Sequence, residues 1–368
     1  MPKHLGLDLD RFVNAVWPPL LNRYAERLGV QNGPTAWQVF NGPALQHYLA
    51  QPENAEIAAI IREELQCVND VALYGIGTLV RACQRYHVDF PPNATPETIA
   101  MSLFLDHRDA FDFAWSRYLL YGSPANLSVH PMELGHLRIG ADQLASFKGA
   151  VQRWFAEQAK GEQCIVREFE DAGETVILIS HGTHVKTIPF WKDDEVSRAS
   201  LRPALEDVIV YEPDTSLIRI RAGLAKDRRE YLRLFAACIA GNEALADVDA
   251  EIFTLAPLQN GTFNFGGEGP IVGVELRRVR MKLHGATKVV VEFTSPDVLA
   301  SFRYDLPGLR IDSGILTLAR FRFHIHFPGE RPTTVTFNIE PPTITNLAER
   351  RYSDLIMRYL ERQGVKVK

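Results

Sequence analysis

CIVREFEDAGETVILIS, residues 164–180, is the stretch at which the chain changes its period. Before it, apolar residues recur every three or four positions, as a buried helix face requires; from here on they alternate, as a half-buried strand requires. Asp171-Ala172-Gly173 separates two apolar runs and supplies turn chemistry. The stretch therefore predicts an antiparallel hairpin.

Upstream, residues 1–160 predict an all-α domain. DRFVNAVW (10–17) runs into Pro18-Pro19, which ends or kinks the first helix. AEIAAIIREELQCVNDVALYGIGTLVRACQRY (55–86) is rich in helix formers at helical spacing. TPETIAMSLFL (95–105) opens on a cap residue with proline in the first turn. DQLASFKGAVQRWFAEQAKG (142–161) sets Leu144, Phe147, Val151 and Phe155 on one face and stops at a glycine.

Downstream, VIVYE (208–212), the turn PDTS and LIRIRA (217–222) predict a second hairpin that feeds a helix over 226–242. Asp227 with Glu230 reads as its cap, and Tyr231, Leu234, Phe235, Cys238 and Ile239 as its buried stripe. The C-terminus repeats this grammar. ARFRFHIHF (319–327), the turn PGERP and TTVTFNIE (333–340) precede a helix with Asn346 as cap, Glu349 three residues on, and a stripe of Tyr352, Leu355, Ile356, Tyr359 and Leu360. A duplicated ββα unit gives this pattern, and so do any two helices packed on a sheet. Between the repeats lie a glycine-rich connection, 256–273, and a long hairpin, 272–293. The expected fold class is α+β: an all-α domain over 1–160, then an α+β domain of antiparallel hairpins with packed helices over 161–368, subdividing near 260.

A content of 46% hydrophobic and 23% charged residues is that of a globular protein. The N-terminus lacks the apolar run of a secretory signal, and the longest apolar run, ALYGIGTLV (72–80), falls short of the roughly 20 residues that span a bilayer. The expectation is a cytoplasmic location with no membrane partner. Cys67, Cys83, Cys164 and Cys238 form no CxxC pair, which argues against structural zinc and against a redox dithiol. The net charge of −5 is unevenly spread: −3 over 1–160, −7 over 161–260 and +5 over 261–368. A basic C-terminal third raises the question of an anionic partner.

Two strands carry that question. In RRVRMKLHG, Arg278, Arg280, Lys282 and His284 share one face; in ARFRFHIHF, Arg320, Arg322, His324 and His326 share one face. If the strands are neighbours, this surface can follow a phosphate backbone. A solvated outer sheet face gives the same alternation. His181, His184, His324 and His326 are the candidate metal ligands, but neither pair has an acidic residue nearby in sequence, and Arg322 opposes a dication beside His324. Ser180 and His181 point to opposite faces of one strand and no GxSxG is present, so no hydrolase triad is expected. Asp207, Glu212 and Asp214 are the acids a degenerate nuclease would use.

The expectation is a non-enzymatic binding or adaptor protein, with nucleic acid as ligand of the basic face, no catalytic residues, no cofactor and no bound metal, and with the helical domain available to a protein partner. A metal-dependent hydrolase or degenerate nuclease, and a scaffold subunit of a multiprotein complex, are the alternatives.

Overall fold

A computed structural model describes residues 6–28, 42–51, 54–122, 127–171, 173–192, 195–284, 289–306, 308–347 and 350–367. The chain divides into two compact units, 2–124 and 125–368.

The first unit is helical: α1 (Leu9–Ala15), α2 (Pro18–Arg27), α3 (Gly42–Ala50), α4 (Ala55–Tyr74), α5 (Ile76–Arg85), α6 (Pro96–Asp106) and α7 (Arg108–Arg117), the last running into a π-helical turn, Tyr118–Gly122. Pro18 opens α2 instead of kinking α1, because proline fits a first turn whose N–H groups have no partner. The Thr95 hydroxyl accepts from the Thr98 N–H at 3.1 Å and donates to the Ala15 carbonyl at 2.6 Å, so one side chain caps α6 and holds the end of α1. The long helical run over 55–86 breaks at Gly75, whose φ of 145° only glycine adopts without strain.

The second unit holds β1 (Leu127–Pro131), α8 (Ala141–Glu157), β2 (Cys164–Asp171), β3 (Glu174–Gly182), β4 (Lys186–Lys192), β5 (Glu195–Leu201), β6 (Ala204–Glu212), β7 (Leu217–Arg221), α9 (Ala225–Leu234) with a π-helical turn Phe235–Ile239, α10 (Ala256–Gln259), β8 (Gly266–Glu268), β9 (Ile271–Leu283), β10 (Val290–Thr294), α11 (Val298–Tyr304), β11 (Gly314–Ile325), β12 (Thr333–Glu340), β13 (Ile344–Thr345) and α12 (Arg350–Arg362). One antiparallel sheet runs β10-β9-β11-β12-β13-β1-β7-β6-β3-β2, with β8 added beside β9; β4 and β5 form a separate ribbon. The hairpins expected at 164–180 and 208–222 are present as β2–β3 and β6–β7.

The two hairpin–helix repeats place their helices on opposite faces of this sheet. Ile177, Ile179, Ile209, Ile218 and Ile220 meet Phe147, Val151 and Phe155 of α8 and Tyr231 of α9. Phe321, Phe323, Phe337 and Ile339 meet Ile356, Tyr359 and Leu360 of α12. Val129 packs with this second core and lies opposite Arg219, whereas Ile218 and Ile220, the neighbours of Arg219, pack with the first. Cross-strand partners share a face, so the two helix layers cannot.

Three local expectations are corrected. α8 belongs with the sheet unit and not with a helical domain ending at 160, since its stripe is buried by β3 and β6. The period change at 164 marks a change of element; contacts change earlier. Asp227 does not cap α9, which starts from Leu224; it is 3% exposed and bonded to Lys160. The Asn346 side chain accepts the Asn338 N–H instead of capping α12, and Glu349 lies outside the described residues.

Candidate polyanion-binding face

The adjacency left open by the sequence is present. β9 pairs with β11, placing Arg278 opposite Arg320, Glu275 opposite Arg322 and Lys282 opposite Ile315. β11 continues the rows onto β12, with Arg320 opposite Asn338 and Arg322 opposite Thr336; β10 flanks the other side, with Glu292 opposite Arg280. The alternation is enforced from below: Val279, Met281, Phe321 and Phe323 are 0% exposed on the face covered by α12, so their neighbours point outward.

Carboxylates from other positions thread this face. Arg278 and Arg280 both pair with Glu292, Arg280 at 3.1 Å. Glu340 lies 3.8 Å from Arg280. Glu275 takes the His324 Nε2 at 3.0 Å, Arg277 at 3.1 Å and Arg322 at 3.7 Å. Arg320 donates from Nε to Asn338 Oδ1 at 2.7 Å. Hydrogen bonding from Arg278 is the largest influence on the Glu292 carboxyl; burial opposes it, and with the added hydrogen bond from Arg280 the carboxyl is held below its ordinary range. For Glu275, burial pushes upward, but hydrogen bonds from His324 and Arg277 outweigh it and the carboxyl is lowered.

Six fixed cations (Arg277, Arg278, Arg280, Lys282, Arg320 and Arg322) thus face three carboxylates. The Nε–H groups of Arg278 and Arg322 are buried without a hydrogen-bond acceptor among the described residues. Lys282 is exposed, with no ion pair among the described residues. An uncommitted buried donor costs about 1–3 kcal/mol, so the guanidinium array is under-satisfied as it stands. His284 lies past the end of β9 and His326 past the end of β11, so both leave the strand rows.

Sequence reasoning missed Arg277 and the three glutamates. Arg277 occupies a β-bulge, where the pairing slips between Arg320–Arg278 and Phe321–Leu276. The signal was Arg277-Arg278, two charges in succession in a strand of alternating pattern. The glutamates come from three strands, and only register brings them together.

The remaining candidates do not converge. His181 and His324 are separated by six strand spacings of about 4.8 Å, roughly 29 Å. His184 is exposed between β3 and β4. Each histidine candidate on a strand has a carboxylate from another strand, distant in sequence: Glu275 for His324, and Asp207 for His181 at 2.9 Å. Among the described residues, no group of three or more His, Cys, Asp or Glu side chains could hold a metal ion. His181 is 3% exposed and stacked on Phe155 at 4.0 Å; its Nδ1 meets the Gly182 carbonyl at 2.8 Å, and Tyr231 donates to the same Asp207 oxygen. Lys160 and Asp227 form a second buried pair at 2.7 Å. These groups tie α8 and α9 to β3 and β6. Asp207 shares the α9 face, whereas Glu212 lies opposite Leu217 on the same turn as exposed Asp214 and pairs with Arg219. The three nuclease candidates therefore do not form one site.

Among the described residues no helix is long and apolar enough to cross a membrane. A scan against protein-family models and a search of curated proteins find no match to this chain.

Proposed function

We propose that the protein is a non-enzymatic binding protein whose β9–β12 outer face holds the phosphate backbone of a nucleic acid. The observation that carries the reading is the alignment of Arg278 and Arg280 on β9 with Arg320 and Arg322 on the neighbouring β11, with two guanidinium N–H groups uncommitted. Arginine forks match phosphate oxygens bidentately, and the partly exposed guanidinium ends of Arg278 and Arg322 are the groups a phosphate would meet.

The same face argues for duplex over single strands. Its outward positions are Val290, Glu292 and Thr294 on β10, charged residues on β9, Arg320, Arg322 and His324 on β11, and Thr334, Thr336 and Asn338 on β12. None is Phe, Tyr or Trp, so the stacking platform by which proteins hold single-stranded bases is missing. Backbone charge is what remains to be read, and binding without sequence preference follows.

Fluorescence anisotropy with a labelled duplex of random sequence tests this. Native protein should bind, and Arg278→Ala with Arg320→Ala should weaken binding at least tenfold, about 1.4 kcal/mol, at unchanged melting temperature. A folded double variant with native affinity would sink the assignment.

A further inference from the structure

His324 stands at one end of the Arg face. It lies two positions along β11 from Arg322, between Gly273 of β9 and Thr334 of β12. Neither neighbour covers it: Thr334 is exposed, and a Cβ built at Gly273 would have no heavy atom within 4 Å. The ring itself is 38% exposed.

Three side chains share one carboxylate here. Glu275 meets His324 Nε2 at 3.0 Å, Arg277 at 3.1 Å and Arg322 at 3.7 Å. An ionised carboxylate only accepts hydrogen bonds, so Nε2 carries a proton, and in the neutral ring Nδ1 is bare. Nδ1 has no hydrogen-bond partner among the described residues. Histidine is the side chain whose charge changes between pH 8 and pH 5. The added proton goes to Nδ1, which turns from acceptor into charged donor. The local balance then moves from two fixed cations against one carboxylate to three cations against one, among the described residues. Glu275 is held more strongly by His324, and Arg322, its most distant partner, is the one released to an anion. The other charged groups around the ring are His326 past the end of β11, and Glu330 and Arg331 on the β11–β12 turn; the nearest outward positions of β12, Thr334 and Thr336, carry no charge.

We infer that His324 makes the Arg face a pH-dependent binder of nucleic-acid phosphate: the protonated ring adds one phosphate contact, through Nδ1–H, beside Arg322. This rests on the reading of the face as a phosphate binder and adds its regulation by proton concentration.

Anisotropy titrations with the random-sequence duplex at pH 7.5 and pH 5.5, each at several salt concentrations, test it. In native protein the affinity should rise about tenfold at the lower pH, the worth of one charged hydrogen bond. The log–log salt slope should steepen by about 0.9, one added phosphate contact. His324→Gln keeps a donor toward Glu275 but takes up no proton, so it should lose most of both changes; His326→Gln should keep them. Melting curves at both pH values establish that each variant is folded. Native affinity that is equal at the two pH values, or a full pH response in folded His324→Gln, would overturn the inference and leave the phosphate reading standing. No duplex binding by native protein at either pH would overturn both.

Discussion

His130 is 3% exposed, and its Nδ1 lies 3.3 Å from the Asp247 carbonyl. Burial pushes its pKa down to about 4; the Asp247 contact opposes that shift, and the charges of Arg228 and Arg229 add to it. The unfolded chain titrates this ring near pH 6.5. Between those values the unfolded state binds a proton that the folded state refuses, so stability is lost as pH falls from about 6.5 toward 4. The loss is on the order of 3 kcal/mol at the acid end. Urea midpoints at pH 7.5 and pH 4.5 should differ less in His130→Gln than in the native protein; an equal difference would remove His130 as the cause. The Lys160–Asp227 pair obeys another rule. Both partners are under 5% exposed, so deleting one strands a buried charge. Lys160→Met alone should cost about 3–5 kcal/mol, whereas Lys160→Met with Asp227→Leu should recover most of it. A double variant as unstable as the single one would show that packing around Trp154 and Phe155, and not charge, sets the cost.

At the scale of elements, the alternation that built β11 was legible because it is local: Phe321, Phe323 and Ile325 are buried while Arg320, Arg322 and His324 are not. What was not legible depends on partners. No pattern within 272–293 tells that Glu292 lies across from Arg280, or that a bulge adds Arg277 to the row. Asp227 in a first turn reads as a cap from sequence, and only the burial of Lys160 beside it reveals the ion pair. The threading glutamates give the face a second, opposite handle. On the proposed reading Glu292 would compete with phosphate for Arg278 and Arg280, so Glu292→Gln should tighten duplex binding and steepen its salt dependence by up to about 0.9 in log–log slope, one extra phosphate contact. Weaker binding in this variant would mean that Glu292 holds the arginines in the productive position instead of competing for them.

For the whole molecule, the side of the sheet on which each helix packs was beyond the sequence, because both repeats carry the same stripe spacing. That choice decides where ligands can reach. With α8 and α9 on one face and α12 on the other, each face is covered by these helices over one repeat, which leaves the Arg face on one side and a cavity beside α12 on the other. The molecule as a whole is acidic, at −5, with −7 concentrated in 161–260. A polyanion therefore meets long-range repulsion and short-range attraction, and salt separates the two. The described residues of the face carry six cations against three carboxylates, so on the proposed reading about three phosphates would be neutralised and the log–log salt slope should be near −2.7 for duplex DNA, or about −2.1 for a single strand. Arg280→Ala with Arg322→Ala removes two of those contacts and should flatten the duplex slope to about −0.9. Both residues are partly exposed, so the fold should lose no more than about 0.5 kcal/mol per site. Below roughly 0.01 M salt the screening length grows to about 30 Å, and the acidic middle of the chain is no longer hidden from the nucleic acid. The slope should then flatten in the native protein, where a uniformly basic binder would keep its gradient. Anisotropy titrations across this range decide the matter. A slope that stays linear to the lowest salt would show that the acidic region lies beyond the reach of the bound polyanion. A slope unchanged by the double variant in a folded protein would move the binding surface away from β9 and β11 altogether.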